Sequence, residues 1–147
     1  MGSGDNSYKT AITRPPGKLS APIAYLNECG LLCGRVLDYG CGKGADAALL
    51  GLEKYDPYYQ PNLPDGKFDT VVCTYVLCVL DEQLEEKVLS MIHGLLADGG
   101  KAYVTARSDL KESGFTSRGT YQRKVELDLP IEKKTRWYTM YRMEKKE

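Results

Sequence analysis

The residues with the most chemical content form one run, Val36-Leu37-Asp38-Tyr39-Gly40-Cys41-Gly42-Lys43-Gly44. A buried strand running into glycines lets the backbone turn sharply and come close to a ligand. Gly40, Gly42 and Ala45 fit the loose G-x-G-x-x-G/A pattern of dinucleotide sites, so the glycines alone leave the ligand open. Asp38 narrows it. A dinucleotide puts its pyrophosphate at the following helix N-terminus, and a carboxylate two residues before the first glycine repels that charge. The same carboxylate attracts a cation, and S-adenosylmethionine carries a sulfonium and an ammonium. A second acid, Asp56, stands about 20 residues further on, where a strand-end carboxylate can accept hydrogen bonds from ribose hydroxyls.

The candidate cofactor residues are Asp38, Tyr39, Gly40, Cys41, Gly42, Asp56, Pro57 and Tyr75. Tyr75 follows an apolar strand and is the candidate catalytic residue. Lys9, Arg14 and Arg107 are the candidate substrate contacts. Lys111, Arg118, Arg123 and Lys124 extend the basic set after Arg107, although Asp109 and Glu112 interrupt it. Tyr55, Tyr58 and Tyr59 are candidates for stacking on adenine. His93, the single histidine, falls in the last turn of an expected helix and suits a surface role.

The elements that must hold these residues follow from patterning. Residues 1–18 read as an extended arm and 19–147 as a single domain. Ser20 reads as a helix cap, with Ile23, Leu26 and Leu31 facing inward. Strands are expected over 35–39, 52–55, 68–74 and 101–106, and helices over 45–50 and 81–96. Asp98-Gly99-Gly100 reads as the stop of the second of these helices. The alternation at 121–129 and the aromatic run at 135–143 read as an antiparallel pair. The whole predicts an α/β fold: a mostly parallel Rossmann-like sheet with helices on both faces and a C-terminal antiparallel hairpin.

Composition excludes several classes. The 147 residues hold 20 Lys+Arg against 20 Asp+Glu, so no global charge draws the chain to nucleic acid or an anionic membrane. No apolar run approaches the roughly 20 residues of a membrane span, and the start lacks a signal pattern. The five cysteines form no C-x-x-C pair, which fits free buried thiols in a reducing cytoplasm and calls for no metal.

Three segments resemble class I S-adenosylmethionine-dependent methyltransferases: residues 36–44, residues 67–73 (Lys-Phe-Asp-Thr-Val-Val-Cys) and residues 95–104 (Leu-Leu-Ala-Asp-Gly-Gly-Lys-Ala-Tyr-Val). Residues 8–14, 19–22, 38–42 and 55–59 resemble, more narrowly, small bacterial and phage methyltransferase-like proteins. They also resemble the N-terminal part of methyltransferases associated with DNA phosphorothioation. The resemblance implies S-adenosylmethionine as cofactor and a small-molecule or nucleic-acid-component acceptor. It also exposes two departures. Only residues 58–67 separate Asp56 from the next strand, so the family's usual third strand is expected to be missing. Tyr75-Val76-Leu77-Cys78 lacks the Asn/Asp-Pro-Pro-aromatic motif of amino-methylating DNA enzymes. A non-catalytic cofactor-binding or scaffold module is the alternative reading. A nicotinamide-dependent oxidoreductase is opposed by Asp38.

Overall fold

The computed structural model describes residues 17–109, 113–115 and 121–147. Six strands form one sheet in the order β2-β1-β3-β4-β8-β7. The first four are β1 (Val36–Tyr39), β2 (Glu53–Tyr55), β3 (Phe68–Thr74) and β4 (Leu96–Arg107), all parallel. β7 (Ile131–Lys134) and β8 (Tyr138–Glu144) add an antiparallel edge, with β8 inserted beside β4. A separate two-stranded ribbon joins β5 (Gly114–Phe115) to β6 (Tyr121–Gln122). β2 ends the sheet, and residues 56–67 cross directly to β3 with no third strand between them.

Strand periodicity sorts the core onto two faces. Leu37, Val71, Cys73, Ala102 and Val104 pack against Val88 and Ile92 of α3 (Glu82–Leu95). Val72, Tyr103 and Met140 pack on the other face against Ile23 and Leu26 of α1 (Ala21–Glu28). Leu50 of α2 (Ala45–Leu50) joins that second cluster, so helices cover both faces as the patterning predicts. α3 starts where its chemistry dictates: the Asp81 carboxylate accepts from the Leu84 amide at 2.8 Å, and Glu82 and Glu85 complement the dipole.

Four expectations need correction. Asp98-Gly99-Gly100 does not stop the helix; α3 ends at Leu95, and β4 already begins at Leu96 beside Phe68. The glycines instead form an irregularity inside β4, where Gly99 takes φ 78°. Residues 121–129 do not pair with the aromatic strand. Arg123 captures them, its side chain donating to the carbonyls of Leu77 and Leu80 and to Glu85, so Val125 is buried on the α3 side and the hairpin partner is β7. Ser20 precedes α1 but does not cap it with its side chain; its amide and hydroxyl donate to the two oxygens of Asp46, both at 2.8 Å. That bond ties the start of α1 to the first turn of α2. The cysteines are all free, yet Cys29 and Cys33 are exposed, and only Cys73 and Cys78 are buried.

Candidate functional site

Parallel pairing brings the carboxyl ends of β1, β2, β3 and β4 to one edge of the sheet, where ligands of open α/β sheets bind. A cavity of about 310 Å3 opens there. All eight candidate cofactor residues line it: Asp38, Tyr39, Gly40, Cys41, Gly42, Asp56, Pro57 and Tyr75. They come from three separate strand ends.

The loop after β1 is shaped by what lies on either side of it. Gly40 has φ 78°, and a Cβ there would collide with the Val76 side chain in the turn after β3. Tyr75, in the same turn, has φ 60°, the one positive value for a non-glycine residue among those described. Its amide donates to the Thr105 carbonyl at 2.9 Å, fastening the turn to β4. Gly40→Ala therefore combines left-handed strain with overpacking. We expect it to lower stability by about 2–4 kcal/mol, read as the urea midpoint. An unchanged midpoint would show that the turn yields freely.

Four of the loop amides are already used. Those of Gly40 and Cys41 donate to the Tyr55 carbonyl at 2.7 and 3.0 Å, and that of Gly44 donates to the Cys41 carbonyl at 3.0 Å. The Gly42 amide donates to Asp56 Oδ2 at 2.8 Å. A pyrophosphate would need such amides turned toward it; here the end of β2 takes those of Gly40, Cys41 and Gly42. Asp38 is only 4% exposed, and Asp56 5%. Both bear on Cys41, whose thiol is pushed up to about 12 by burial first and then by the negative charge of the two acids. The cavity floor is thus electronegative.

Asp56 is committed to the backbone. Its Oδ1 accepts from the amides of Tyr58 and Tyr59 at 2.9 and 3.0 Å, in addition to the Gly42 bond on Oδ2. Tyr58 and Tyr59 pack edge to face with each other and do not line the cavity. The aromatic wall is formed by Tyr39 and Tyr55, whose rings lie 5.1 Å apart, with the Tyr39 hydroxyl 3.6 Å from Met91 Sδ. Leu84, Lys87 and Met91 of α3 extend this wall. Sequence reasoning did not single out Lys87 or Met91; the three- and four-residue spacing from Leu84 puts them on one side of the helix, but nothing in it marks that side as bordering an opening.

Of the candidate substrate contacts, Lys9 and Arg14 lie outside the described residues, as do Lys111 and Arg118. Arg107 ends β4, and its guanidinium is engaged. Nε and Nη2 donate to the two Asp109 oxygens at 2.9 and 2.6 Å, and Nη1 donates to Gln122 Oε1 at 2.5 Å. Burial is the main cause pushing the Tyr75 phenol up to about 12, so it is a neutral hydrogen-bond donor near pH 7 rather than a base. His93 is exposed in the last turn of α3.

The model of a methyltransferase domain family matches residues 11–141. The chain belongs to that family. Its cofactor is S-adenosylmethionine, and the residues present suit it: a buried acid for a cationic ligand and an aromatic-aliphatic wall for a purine. Among curated proteins, none matches the chain. Solved methyltransferases share the fold. The chain resembles 1,6-didemethyltoxoflavin-N1-methyltransferase from Burkholderia thailandensis, solved with 1,6-didemethyltoxoflavin and S-adenosylhomocysteine, at 15% identity and TM-score 0.59. That match covers 86% of this chain and 78% of the other. Magnesium protoporphyrin IX methyltransferase from Synechocystis, solved with S-adenosylhomocysteine, gives 15% identity and TM-score 0.55 over 85% and 80% of the two chains. The N-methyltransferase NodS from Bradyrhizobium japonicum gives 13% identity and TM-score 0.54 over 86% and 98%. Among the described residues, no helix is long and apolar enough to cross a membrane.

Proposed function

We propose that this methyltransferase binds S-adenosylmethionine through Asp38, the loop of Tyr39 to Gly42, Asp56-Pro57 and Tyr75, and passes the methyl group to a small molecule or a nucleic-acid component. The observation that carries the reading is the buried Asp38 carboxylate at a glycine bend whose amides are already bonded within the protein. Such a floor favours a positively charged nucleoside over a phosphorylated one. Asp38 holds the cationic end of the ligand, Asp56 fixes the loop from below, and Tyr39 and Tyr55 flank the purine. When bound, S-adenosylmethionine supplies an activated methyl group on a good leaving group. What is left for the protein is to position the acceptor in line and keep water out. Tyr75, partly buried and neutral, contributes a wall and a hydrogen-bond donor at that point.

Calorimetry with S-adenosylmethionine and S-adenosylhomocysteine tests the reading, with dissociation constants expected in the micromolar range. Tighter binding of NAD, or no heat from either ligand with folded protein, overturns it. Acceptor-dependent release of S-adenosylhomocysteine separates a catalyst from a domain that only holds the cofactor.

A further inference from the structure

A second hollow of about 300 Å3 lies beyond Tyr75, bounded by Val79, Arg107, Asp109, Gln122 and Trp137. Tyr75 and Val79 line both this hollow and the cofactor cavity, so the two spaces share a wall. We propose that this hollow is the acceptor subsite, and that it takes a planar, uncharged heteroaromatic ring, stacked on Trp137 and methylated on a ring nitrogen. The proposal rests on the cofactor reading above.

Three features point to that chemistry. The first is charge. Among the described residues of the lining, Arg107 and Asp109 are the charged ones, and their two-point contact cancels them. An anionic acceptor would have to break that contact; an uncharged ring leaves it intact. The second is a flat platform on a fixed backbone. Trp137 is 59% exposed, far more than an ordinary packing indole. Yet its amide donates to Thr135 Oγ1 at 3.1 Å, and its carbonyl accepts from the Ser108 amide at 3.0 Å. Arg136 lies over the indole at 4.8 Å and braces it by a cation–π contact. The third is a hydrogen-bond edge. Gln122 spends its carbonyl oxygen on Arg107, so its amino group is the end that remains for a ligand. It suits a ring carbonyl or an unprotonated ring nitrogen.

The acceptor atom follows from the absence of a base. Among the described residues of the hollow, both Asp109 oxygens accept from Arg107, the Cys78 thiol donates to the Tyr75 carbonyl at 3.4 Å, and burial raises the Tyr75 phenol. A hydroxyl acceptor of high pKa would need a base. A ring nitrogen brings its own lone pair. That pair forms the N–CH3 bond as the CH3–S bond breaks, and the bonding electrons return to sulfur, giving S-adenosylhomocysteine. The positive charge moves to the ring, which sheds an N–H proton to water.

The chain has a single tryptophan, so its emission reports this platform alone. Hypoxanthine and lumazine are the uncharged probes, and orotate and inosine monophosphate the anionic ones. Each is titrated into protein saturated with S-adenosylhomocysteine, whose own binding is read by calorimetry on the same sample. The expected result is saturable quenching by at least one uncharged ring, with the anions at least tenfold weaker. Trp137→Ala, at an exposed position, should weaken ring binding at least tenfold by calorimetry and leave S-adenosylhomocysteine affinity unchanged. The proposal is overturned by silent emission with both uncharged rings, by anions binding equally well, or by wild-type ring affinity in Trp137→Ala. Heat from S-adenosylhomocysteine with a silent ring titration overturns the acceptor proposal alone; no heat overturns the cofactor reading with it.

Discussion

Asp38→Asn should lower affinity for S-adenosylmethionine about ten- to a hundredfold, with little change in fold. The substitution keeps the shape of a side chain that is 4% exposed, removes its charge and turns one acceptor oxygen into a donor. A hydrogen bond to a charged group is worth about 1.5–3 kcal/mol, and each 1.4 kcal/mol is tenfold in affinity. If Asp38 separates a cationic ligand from an anionic one, as proposed, its neutral variant should lose discrimination. NAD, which the wild-type carboxylate should disfavour, is expected to gain relative to S-adenosylmethionine. Calorimetry with both ligands reads the two effects together. Unchanged affinity in a folded variant would remove Asp38 from the site and with it the electrostatic basis of the assignment.

Much of this architecture was legible because local and tertiary signals agree. The helix expected over 45–50 and the strand over 68–74 match α2 and β3 at both ends, since a glycine loop and Gly51 frame one, and β-branched residues between turns frame the other. All eight cofactor candidates meet in one cavity, because strand ends on a parallel sheet converge whatever lies between them in sequence. The misreadings have a common cause: a distant contact overrides the local pattern. Asp98-Gly99-Gly100 has the composition of a helix stop, but Leu96 is fully buried beside Phe68 and starts the strand early. Residues 121–129 alternate like a strand, but Arg123 fastens them to the turn before α3. Tyr58 and Tyr59 looked like adenine partners, but the Asp56 carboxylate holds their amides and neither residue is in the cavity lining. The wall supplied by α3 could not be seen in advance, because nothing in the sequence says which part of a helix borders an opening.

That use of Asp56 leads to the second large effect. Seen only as a sequence, Asp56 is a ribose-binding acid. In three dimensions it holds three backbone amides, those of Gly42, Tyr58 and Tyr59, and so joins the glycine loop to the segment leaving β2. Removing the carboxylate leaves those donors without their partner at a site that is 5% exposed. Asp56→Ala is therefore expected to cost about 3–5 kcal/mol of stability, read as a shift in the urea midpoint. The melting temperature should fall by about 6–20 °C for a chain of this length. Asp56→Asn should fall between wild type and alanine, because its carbonyl can keep the Tyr58 and Tyr59 amides while its amino group faces the Gly42 amide, donor against donor. Oδ1 already accepts two bonds and Oδ2 one, which leaves room for one ribose hydroxyl rather than two. The two roles separate cleanly in the asparagine variant. A loop clamp predicts that stability and S-adenosylmethionine affinity fall together. A residue that acts on the ribose alone predicts weaker binding at an unchanged urea midpoint, and that outcome would return Asp56 to the role its position in the sequence first suggested.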